Sequence, residues 1–391
     1  MQLITGTVQP YPWGSTTAIP EFLGRAADGQ PQAEYWLGAH PAAPSRVGAE
    51  PLTALISADP VGVLGSGIVD QFGPKLPYLL KVLAADQPLS LQAHPTRVEA
   101  DTGYAAENRA GIALDDPRRV FRDDWPKPEM MVALTPVDAL CGFRDPAETY
   151  ALFAQLAVDD ALRLVAPLQD GDSVGLREVF GRLLRLTESE RSLVAQVISA
   201  AAELTPVDPA LTSFVATALE LDGFYPGDPG VLAALLLNRL RLAPGDALFL
   251  PAGNLHAYLR GFGVEIMANS DNTIRGGLTS KQVALDVLLD ILDFSAEVPP
   301  RVEAAVEAPG LLRYLTPAPE FTLWRLQPDG PCTVPAAGSP RVLLVTEGEL
   351  VLDSEDDALT LARGQAAFAF PGDDLRVSGA GVAFLAGPGS G

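Results

Sequence analysis

The spacing of apolar residues changes along the chain, and each change predicts a different kind of structure. Residues 1–145 contain short apolar runs separated by prolines and glycines, which is typical of strands and loops with some helix. From residue 147 to residue 221 the apolar positions recur at helical spacing, so we predict several helices, with Pro146 in the first turn. From residue 311 onward, short apolar runs alternate with Gly and Asp turns, which indicates a barrel or jelly roll.

Shorter segments between these regions have predictions of their own. The apolar run 231–240 predicts a helix, and a second helix is predicted over 279–292, with Lys281 in its first turn. The Pro- and Glu-rich segment 297–310 is predicted to be a linker. We therefore divide the chain into a β region (1–145), a helical insertion (146–229), a second β region (230–300) and a C-terminal β domain (301–391).

Composition and charge narrow the possible partners. The chain has 391 residues, of which 48% are hydrophobic and 19% charged, as expected for a folded protein. Its net charge of −22 argues against nucleic acid and against anionic membranes as partners. The first residues lack the basic and apolar regions of a signal peptide, and no apolar stretch is long enough to span a bilayer, so we expect a cytoplasmic protein. Two cysteines form no disulfide framework, and Cys141 is interpreted as a core residue.

Histidines are scarce, and two of the three lie in patterns suited to a metal. In an extended segment Gln92 and His94 point to the same side and could reach one ion. His256 ends a Gly-x5-Pro-x-Gly-x2-His pattern that is similar to the second motif of the cupin superfamily, in which the histidine binds metal. With Glu129 as a carboxylate ligand, these residues form a mixed nitrogen and oxygen site that suits zinc, with Mn, Fe or Co as alternatives.

Long phrases of the sequence carry a more specific resemblance. The chain resembles the type I mannose-6-phosphate isomerases (phosphomannose isomerases) over essentially its whole length. The phrases that carry it are YPWGS (11–15), AEYWLGAHPAAPS (33–45), LPYLLKVLAADQPLSLQAHP (76–95), KPEMMVAL (127–134), ALCGFR (139–144), YPGDPGVLAALLLN (225–238), LPAGNLHAYLRG (250–261) and EIMANSDNTIRGGLTSK (265–281).

The resemblance implies a fold, an activity and a cofactor. The fold would be mainly β: a cupin-type (jelly-roll) catalytic barrel formed by 1–145 and 230–300, an all-α insertion, and a second cupin-like barrel without metal ligands. The activity would be the zinc-dependent interconversion of mannose 6-phosphate and fructose 6-phosphate, with one Zn²⁺ per chain and a phosphosugar as partner. We expect a monomer or a weak dimer. By motif, the zinc ligands fall on Gln92, His94, Glu129 and His256, and the catalytic arginine on Arg275.

An aldose–ketose isomerase must move a proton between two carbons and hold a phosphate at the far end of its substrate. For the proton transfer we predict the Asp271 and Arg275 region, with Glu265 as the alternative base and Lys127 near the metal. For the phosphate we predict Ser90, Lys81, Arg275 and Lys281. Tyr258 and Trp13 are predicted to contact the substrate as well. Trp36 and His40 are interpreted as residues that pack near the site or support the residues that contact the substrate, and not as catalysts. Four of the 27 basic residues are lysines; Lys81, Lys127 and Lys281 lie in the phrases of the resemblance, and Lys75 directly precedes one of them.

One departure from the family keeps other functions open. The family has Asn-His before Lys-Pro-Glu-Met, where this chain has Trp125 and Pro126. No role of that histidine can therefore operate here. Another metal-dependent cupin enzyme, such as an oxygenase, and a non-catalytic sugar-phosphate sensor are the two alternatives.

Overall fold

The computed structural model describes residues 1–297, 301–355 and 357–389. The helices of this part, in chain order, are α1 (Ala18–Phe22), α2 (Leu52–Ala58), α3 (Pro60–Leu64), α4 (Ser66–Phe72), α5 (Arg97–Arg109), α6 (Pro146–Gln155), α7 (Asp159–Val165), α8 (Ser173–Leu184), α9 (Ser192–Glu203), α10 (Pro209–Phe224), α11 (Pro229–Ala234) and α12 (Leu285–Ile291), with a 3-10 turn at Ala166–Asp170. Within these ranges, no helix combines the length and the hydrophobicity that a bilayer crossing needs.

The strands outnumber the helices. In chain order they are β1 (Gln2–Thr5), β2 (Thr7–Gln9), β3 (Glu34–Gly38), β4 (Arg46–Val47), β5 (Glu50–Pro51), β6 (Tyr78–Ala85), β7 (Gln92–Ala93), β8 (Glu129–Ala133), β9 (Val137–Phe143), β10 (Leu237–Leu242), β11 (Ala247–Leu250), β12 (His256–Ala268), β13 (Ile274–Arg275), β14 (Ala304–Ala308), β15 (Leu311–Tyr314), β16 (Thr322–Leu326), β17 (Cys332–Thr333), β18 (Arg341–Asp353), β19 (Ala358–Ala362), β20 (Ala366–Ala369) and β21 (Arg376–Gly387). The fold is mainly β with a helical region, as predicted.

The strands form two sheets. Within the described residues, an 11-stranded sheet has the order β14-β15-β16-β21-β18-β20-β1-β4-β5, with β17 paired to β21 and β19 paired to β18. A 10-stranded sheet has the order β10-β9-β12-β6-β3-β2, with β7, β8, β11 and β13 paired to its sides. In the part of the chain that the structure describes, neither strand order returns to its first strand, so both sheets are open. The amino-terminal β1 pairs with β20, so the sheet of the C-terminal region also contains strands from the start of the chain.

The long strand β12 organises the 10-stranded sheet. Its first residues pair with β7 and β9, and its second half, from Gly261 onward, pairs with β6 and β8. Gly261 has a φ of 138°, and a side chain there would meet the backbone of Pro136 and Val137. This glycine lets β12 pass closely between its partners. Tyr258 from the first half of β12 and Glu265 and Met267 from its second half line the same cavity.

The helical region begins as the sequence predicts. Pro146 is in the first turn of α6, and the side chain of Asp145 accepts a hydrogen bond from the Glu148 backbone N–H. The start of α10 has the same Asp-Pro pair, Asp208 and Pro209. The buried faces of α6 to α11 share one core with β7, β9, β12 and β13 of the 10-stranded sheet. The helices therefore pack directly behind the strands that present the histidines.

Three element predictions were wrong in part. The run 231–240 is helical only to Ala234 and continues as strand β10, which pairs with β9. The helix predicted from residue 279 begins at Leu285, so Lys281 lies in the loop before it. The predicted linker contains strand β14, which pairs with β15, while residues 298–300 of that linker lie outside the described residues.

Candidate metal centre and active site

A wide cavity of about 1080 Å³ lies over one face of the 10-stranded sheet. It is lined by Gln92, Glu129, Tyr258, Glu265, Lys81, Lys127, Ser90, Asp271, Arg275, Lys281, Trp13, Glu34, Trp36, His40 and Arg122, among others. Every residue predicted to act in catalysis or substrate binding is in that list. The register of the strands explains why these residues lie close together. His256 is opposite Gln92, Met267 is opposite Glu129, and Glu265 is opposite Lys81.

Two histidines and a glutamate converge at the floor of the cavity. Ligand atoms of His94, Glu129 and His256 all lie within 4.8 Å of one another. His94 Nε2 is 3.4 Å from Glu129 Oε1, and His256 Nε2 is 3.5 Å from Glu129 Oε2. Each histidine Nδ1 faces a backbone carbonyl, that of Asn272 at 2.7 Å and that of Asn254 at 3.0 Å. Placing the proton on Nδ1 directs both Nε2 lone pairs toward the carboxylate, as in metal-binding histidines.

These three side chains fit a divalent cation. All three are at most 2% exposed, and His94 Nε2, His256 Nε2 and Glu129 Oε2 have no hydrogen-bond partner among the described residues. Burial and the nearby Lys127 lower the pKa of His94 to about 4, so its imidazole is neutral at physiological pH. Burial opposes the charge of Glu129, but Lys127 and His94 hold the pKa of its carboxyl well below the usual range. A negative carboxylate and two neutral imidazoles are the protonation states that a metal requires.

The loop before His256 depends on one glycine. Gly253 has a φ of 78°, and its backbone N–H donates to the carbonyl of His94 at 2.9 Å. A side chain at this position would come within 2.9 Å of the Ile291 carbonyl. The glycine of the Pro-x-Gly-x2-His pattern therefore links the loop that leads to His256 to the backbone of His94.

A cluster of charged side chains from β3, β6 and β12 lines the same cavity. Lys81 Nζ is 3.2 Å from Glu265 Oε2 and 3.6 Å from Glu34 Oε2, and it lies over the Trp36 ring. Burial alone would lower the pKa of Lys81, but Glu34 and Glu265 raise it above its ordinary value. Burial raises the pKa of Glu265 to about 7, with Lys81 opposing the shift. The sequence predicts phosphate binding for Lys81, whereas in this structure its ammonium is held by two carboxylates, one of which, Glu34, has no predicted role.

The third histidine also belongs to the cavity. His40 is 3% exposed, and its Nε2 is 3.2 Å from Asp271 Oδ1. Its Nδ1 accepts a hydrogen bond from the Ala42 backbone N–H at 3.2 Å, so the ring proton is on Nε2 and points at the carboxylate. From the sequence, His40 is interpreted as a packing or supporting residue, and its contact with Asp271 is not predicted. The signal that could have found it is the scarcity of histidine in this chain.

Trp125 and Pro126, which stand where the family has Asn-His, are buried and are not among the residues that line the cavity. Trp125 packs on Phe72, and the cationic groups of Lys75 and Arg97 lie 5.1 and 5.2 Å from its ring centroid. The following Lys127 enters the cavity, where its ammonium contacts Glu129. The loop that leads to the glutamate is therefore fixed by packing.

The mainly β fold and the buried site of two histidines and a carboxylate define a metalloenzyme with a polar, charged cavity. Residues 1–146 match the family model described as phosphomannose isomerase type I, catalytic domain. The mannose-6-phosphate isomerase of Salmonella typhimurium is 36% identical over 396 residues, which cover 99% of this chain and 98% of that protein. This chain belongs to the type I phosphomannose isomerase family, and the prediction of an enzyme of that family is confirmed.

Solved structures agree with this assignment. The crystal structure of a lysine-to-alanine mutant of phosphomannose isomerase from Salmonella typhimurium superposes with a TM-score of 0.91 at 32% identity, and the match covers 100% of both chains. A zinc-bound crystal structure of mannose 6-phosphate isomerase superposes with a TM-score of 0.90 at 32% identity, covering 100% of this chain and 99% of that one.

Proposed function

We propose that this protein is a zinc-dependent isomerase that interconverts mannose 6-phosphate and fructose 6-phosphate through an enediol. The observation that carries the proposal is the convergence of His94, Glu129 and His256 at the floor of a cavity that also contains acid–base groups and free cations. Family membership supports the same reaction, and the zinc-bound neighbour supports the metal. The phosphosugar is the partner.

We assign one zinc ion per chain to Gln92, His94, Glu129 and His256. Gln92 lines the cavity and is opposite His256 in the register of β7 and β12, so its amide oxygen is available as a fourth ligand. When bound, zinc would act as a Lewis acid that stabilises negative charge on the two substrate oxygens next to the reacting carbons.

Two carboxylates of this chain are candidates for the proton transfer. Glu265, whose pKa is raised to about 7, exchanges a proton readily near neutral pH. His40 holds the pKa of Asp271 below its ordinary value, so Asp271 is a carboxylate under the same conditions. In the direction from aldose to ketose, the carboxylate takes the proton from C2 and returns it to C1, while the hydroxyl proton of O2 moves to O1, so the enzyme is unchanged after each turnover. Lys127 and Arg275 supply positive charge near the anionic intermediate.

The remaining predicted residues are assigned to binding. Ser90, Arg275 and Lys281 would hold the phosphate, and Trp13 and Tyr258 would form the walls. Lys81 is assigned to the reacting end, since Glu34 and Glu265 already hold its ammonium.

The finer architecture is also part of the proposal. We interpret the 10-stranded sheet as a cupin-type catalytic unit made by residues 1–145 and 230–300, interrupted by the helical insertion 146–229. The region 301–391 would be a second cupin-like unit without metal ligands. The protein would be cytoplasmic and a monomer or weak dimer.

A coupled assay and metal analysis on the same preparation test the function. We expect about one zinc per chain and turnover of mannose 6-phosphate that is the same with and without oxygen. Zinc without turnover would overturn the proposal in favour of a sugar-phosphate sensor. Oxygen-dependent turnover of another compound would favour an oxygenase.

A further inference from the structure

Arg122 lies on the same cavity as Arg275 and Lys281, and neither the sequence motifs nor the proposed reaction uses it. It comes from the loop between α5 and β8, whereas the other two come from β13 and the loop that follows it. Three cations from two distant parts of the chain therefore share one cavity with Ser90. Such a gathering stands out in a chain with a net charge of −22.

Within residues 1–297, 301–355 and 357–389, no aspartate or glutamate is within ion-pair distance of Arg122, Arg275 or Lys281. The repulsion between these cations affects their pKa values. Burial and then Arg122 lower the pKa of Arg275. Arg275, then burial and then Arg122 lower the pKa of Lys281. The fold holds mutually repelling charges together, and a doubly negative group between them would relieve that repulsion.

The position of Arg122 is fixed from two sides. Its backbone N–H donates to Asn272 Oδ1 at 2.7 Å, and its guanidinium donates to the carbonyl of Leu114. Asn272 is fully buried, and its own carbonyl faces His94 Nδ1. One residue thus ties the loop of Arg122 to a histidine of the metal centre. This link sets the distance between the loop of Arg122 and the metal centre.

We propose that Arg122 is a phosphate-binding residue that completes a three-cation site with Arg275 and Lys281 for the dianionic phosphate of the substrate. The inference rests on the proposed function for the identity of the substrate. A guanidinium can give two parallel hydrogen bonds to phosphate oxygens, and one anchored on Leu114 loses less side-chain freedom when it does so. Because the phosphate is remote from the reacting carbons, Arg122 contributes to substrate affinity and orientation.

The test measures phosphate binding separately from turnover. Calorimetric titration of the zinc-loaded enzyme with inorganic phosphate is compared between the wild type, Arg122→Ala, Arg122→Lys and Arg118→Ala. Arg118 is a matched control because it also is exposed and lines the same cavity four residues away, but its guanidinium is already paired with Asp116. We expect Arg122→Ala to raise the phosphate Kd and the KM for mannose 6-phosphate about tenfold or more, with kcat nearly unchanged. Arg122→Lys should recover part of the affinity, and Arg118→Ala should behave as the wild type.

The possible results distinguish the phosphate-binding role of Arg122 from the proposed isomerase activity. Wild-type Kd and KM in folded Arg122→Ala would overturn this inference while leaving the isomerase proposal intact. Phosphate affinity that depends on Arg122 in an enzyme with no mannose 6-phosphate turnover would support the anion site and overturn the proposed substrate. If Arg122→Ala does not fold, Arg122→Gln, which keeps a donor for the Leu114 carbonyl, takes its place in the comparison.

Discussion

His40 Nε2 is 3.2 Å from Asp271 Oδ1, and the Ala42 N–H at His40 Nδ1 fixes which ring nitrogen carries the proton. The backbone N–H of Asp271 is held in turn by Asp123 Oδ2 at 2.8 Å. Asp271 is thus a cavity carboxylate whose orientation is set from both its side chain and its backbone. If Asp271 is the base of the proposed reaction, His40 is the residue that orients it.

The variant His40→Asn should lower kcat roughly tenfold or more and change KM little, since Asp271 would lose its orientation. The acid side of the pH–rate profile should also move. The hydrogen bond from His40 is the largest cause that lowers the pKa of Asp271, with Lys127 and Lys81 adding to it and burial opposing it. Without the histidine the pKa rises, so the carboxylate is protonated, and activity is lost, at a higher pH. Rates measured across the acid range test the direction.

Two further variants separate this role from packing. His40→Gln keeps a hydrogen-bond donor and should restore part of the rate, whereas His40→Phe keeps the aromatic volume beside Trp36 and should not. Wild-type kcat values and pH profiles in both folded variants would show that His40 only fills space.

Removal of the metal should destabilise the protein as well as inactivate it. His94→Ala and His256→Ala should each lose zinc, because each deletes one of three converging ligands. Zinc at 100 times its Kd contributes about 2.7 kcal/mol to the free energy of unfolding. Chelation of the wild type should therefore lower the melting temperature, and added zinc should restore it. Zinc-free variants with unchanged activity and melting temperature would contradict the assignment.

The helical region was predictable because local signals and packing agree there. The 3.6-residue period and the Asp-Pro starts of α6 and α10 require no knowledge of the rest of the chain. Strand β14 left no such signal, since most of its side chains are exposed and it is held by backbone pairing with β15. Around residue 237, Leu235, Leu236 and Leu237 are all buried, and an unbroken apolar run does not distinguish helix from buried strand.

Residues of the site were predictable where they lie in motifs and were missed where only the fold brings them together. The Pro-x-Gly-x2-His pattern identified His256 because a turn and a strand start are local features. The partner of His40 is far downstream, and the contact depends on how β3 and the loop after β12 meet. Glu34 was missed because its contact with the Lys81 ammonium depends on the register of β3 and β6, which sequence reasoning did not supply.

The two thiols should react very differently. Cys141 is fully buried and donates to Asn254 Oδ1, and burial raises its pKa to about 12. Because the thiolate is the reactive species, a thiol reagent should leave Cys141 untouched in the native protein and label the half-buried Cys332 first. Both should react in denaturant. Rapid native labelling of Cys141, measured on a Cys332→Ser variant, would show that this part of the core opens readily.

Glu265→Gln should lower kcat about a hundredfold or more if Glu265 moves the proton. In the wild type, burial raises the pKa of Glu265 to about 7, so the carboxylate fraction, and with it the rate, should grow as the pH rises through about 7. The variant should lose this step in the pH–kcat profile. Glu34→Gln is the matched control, because Glu34 contacts the same Lys81 ammonium. The charge of Glu34 raises the pKa of Glu265, so this control should keep the step and move it to lower pH. Near-normal kcat in both Glu265→Gln and Asp271→Asn would exclude the two carboxylates as bases and assign the proton transfer to another group.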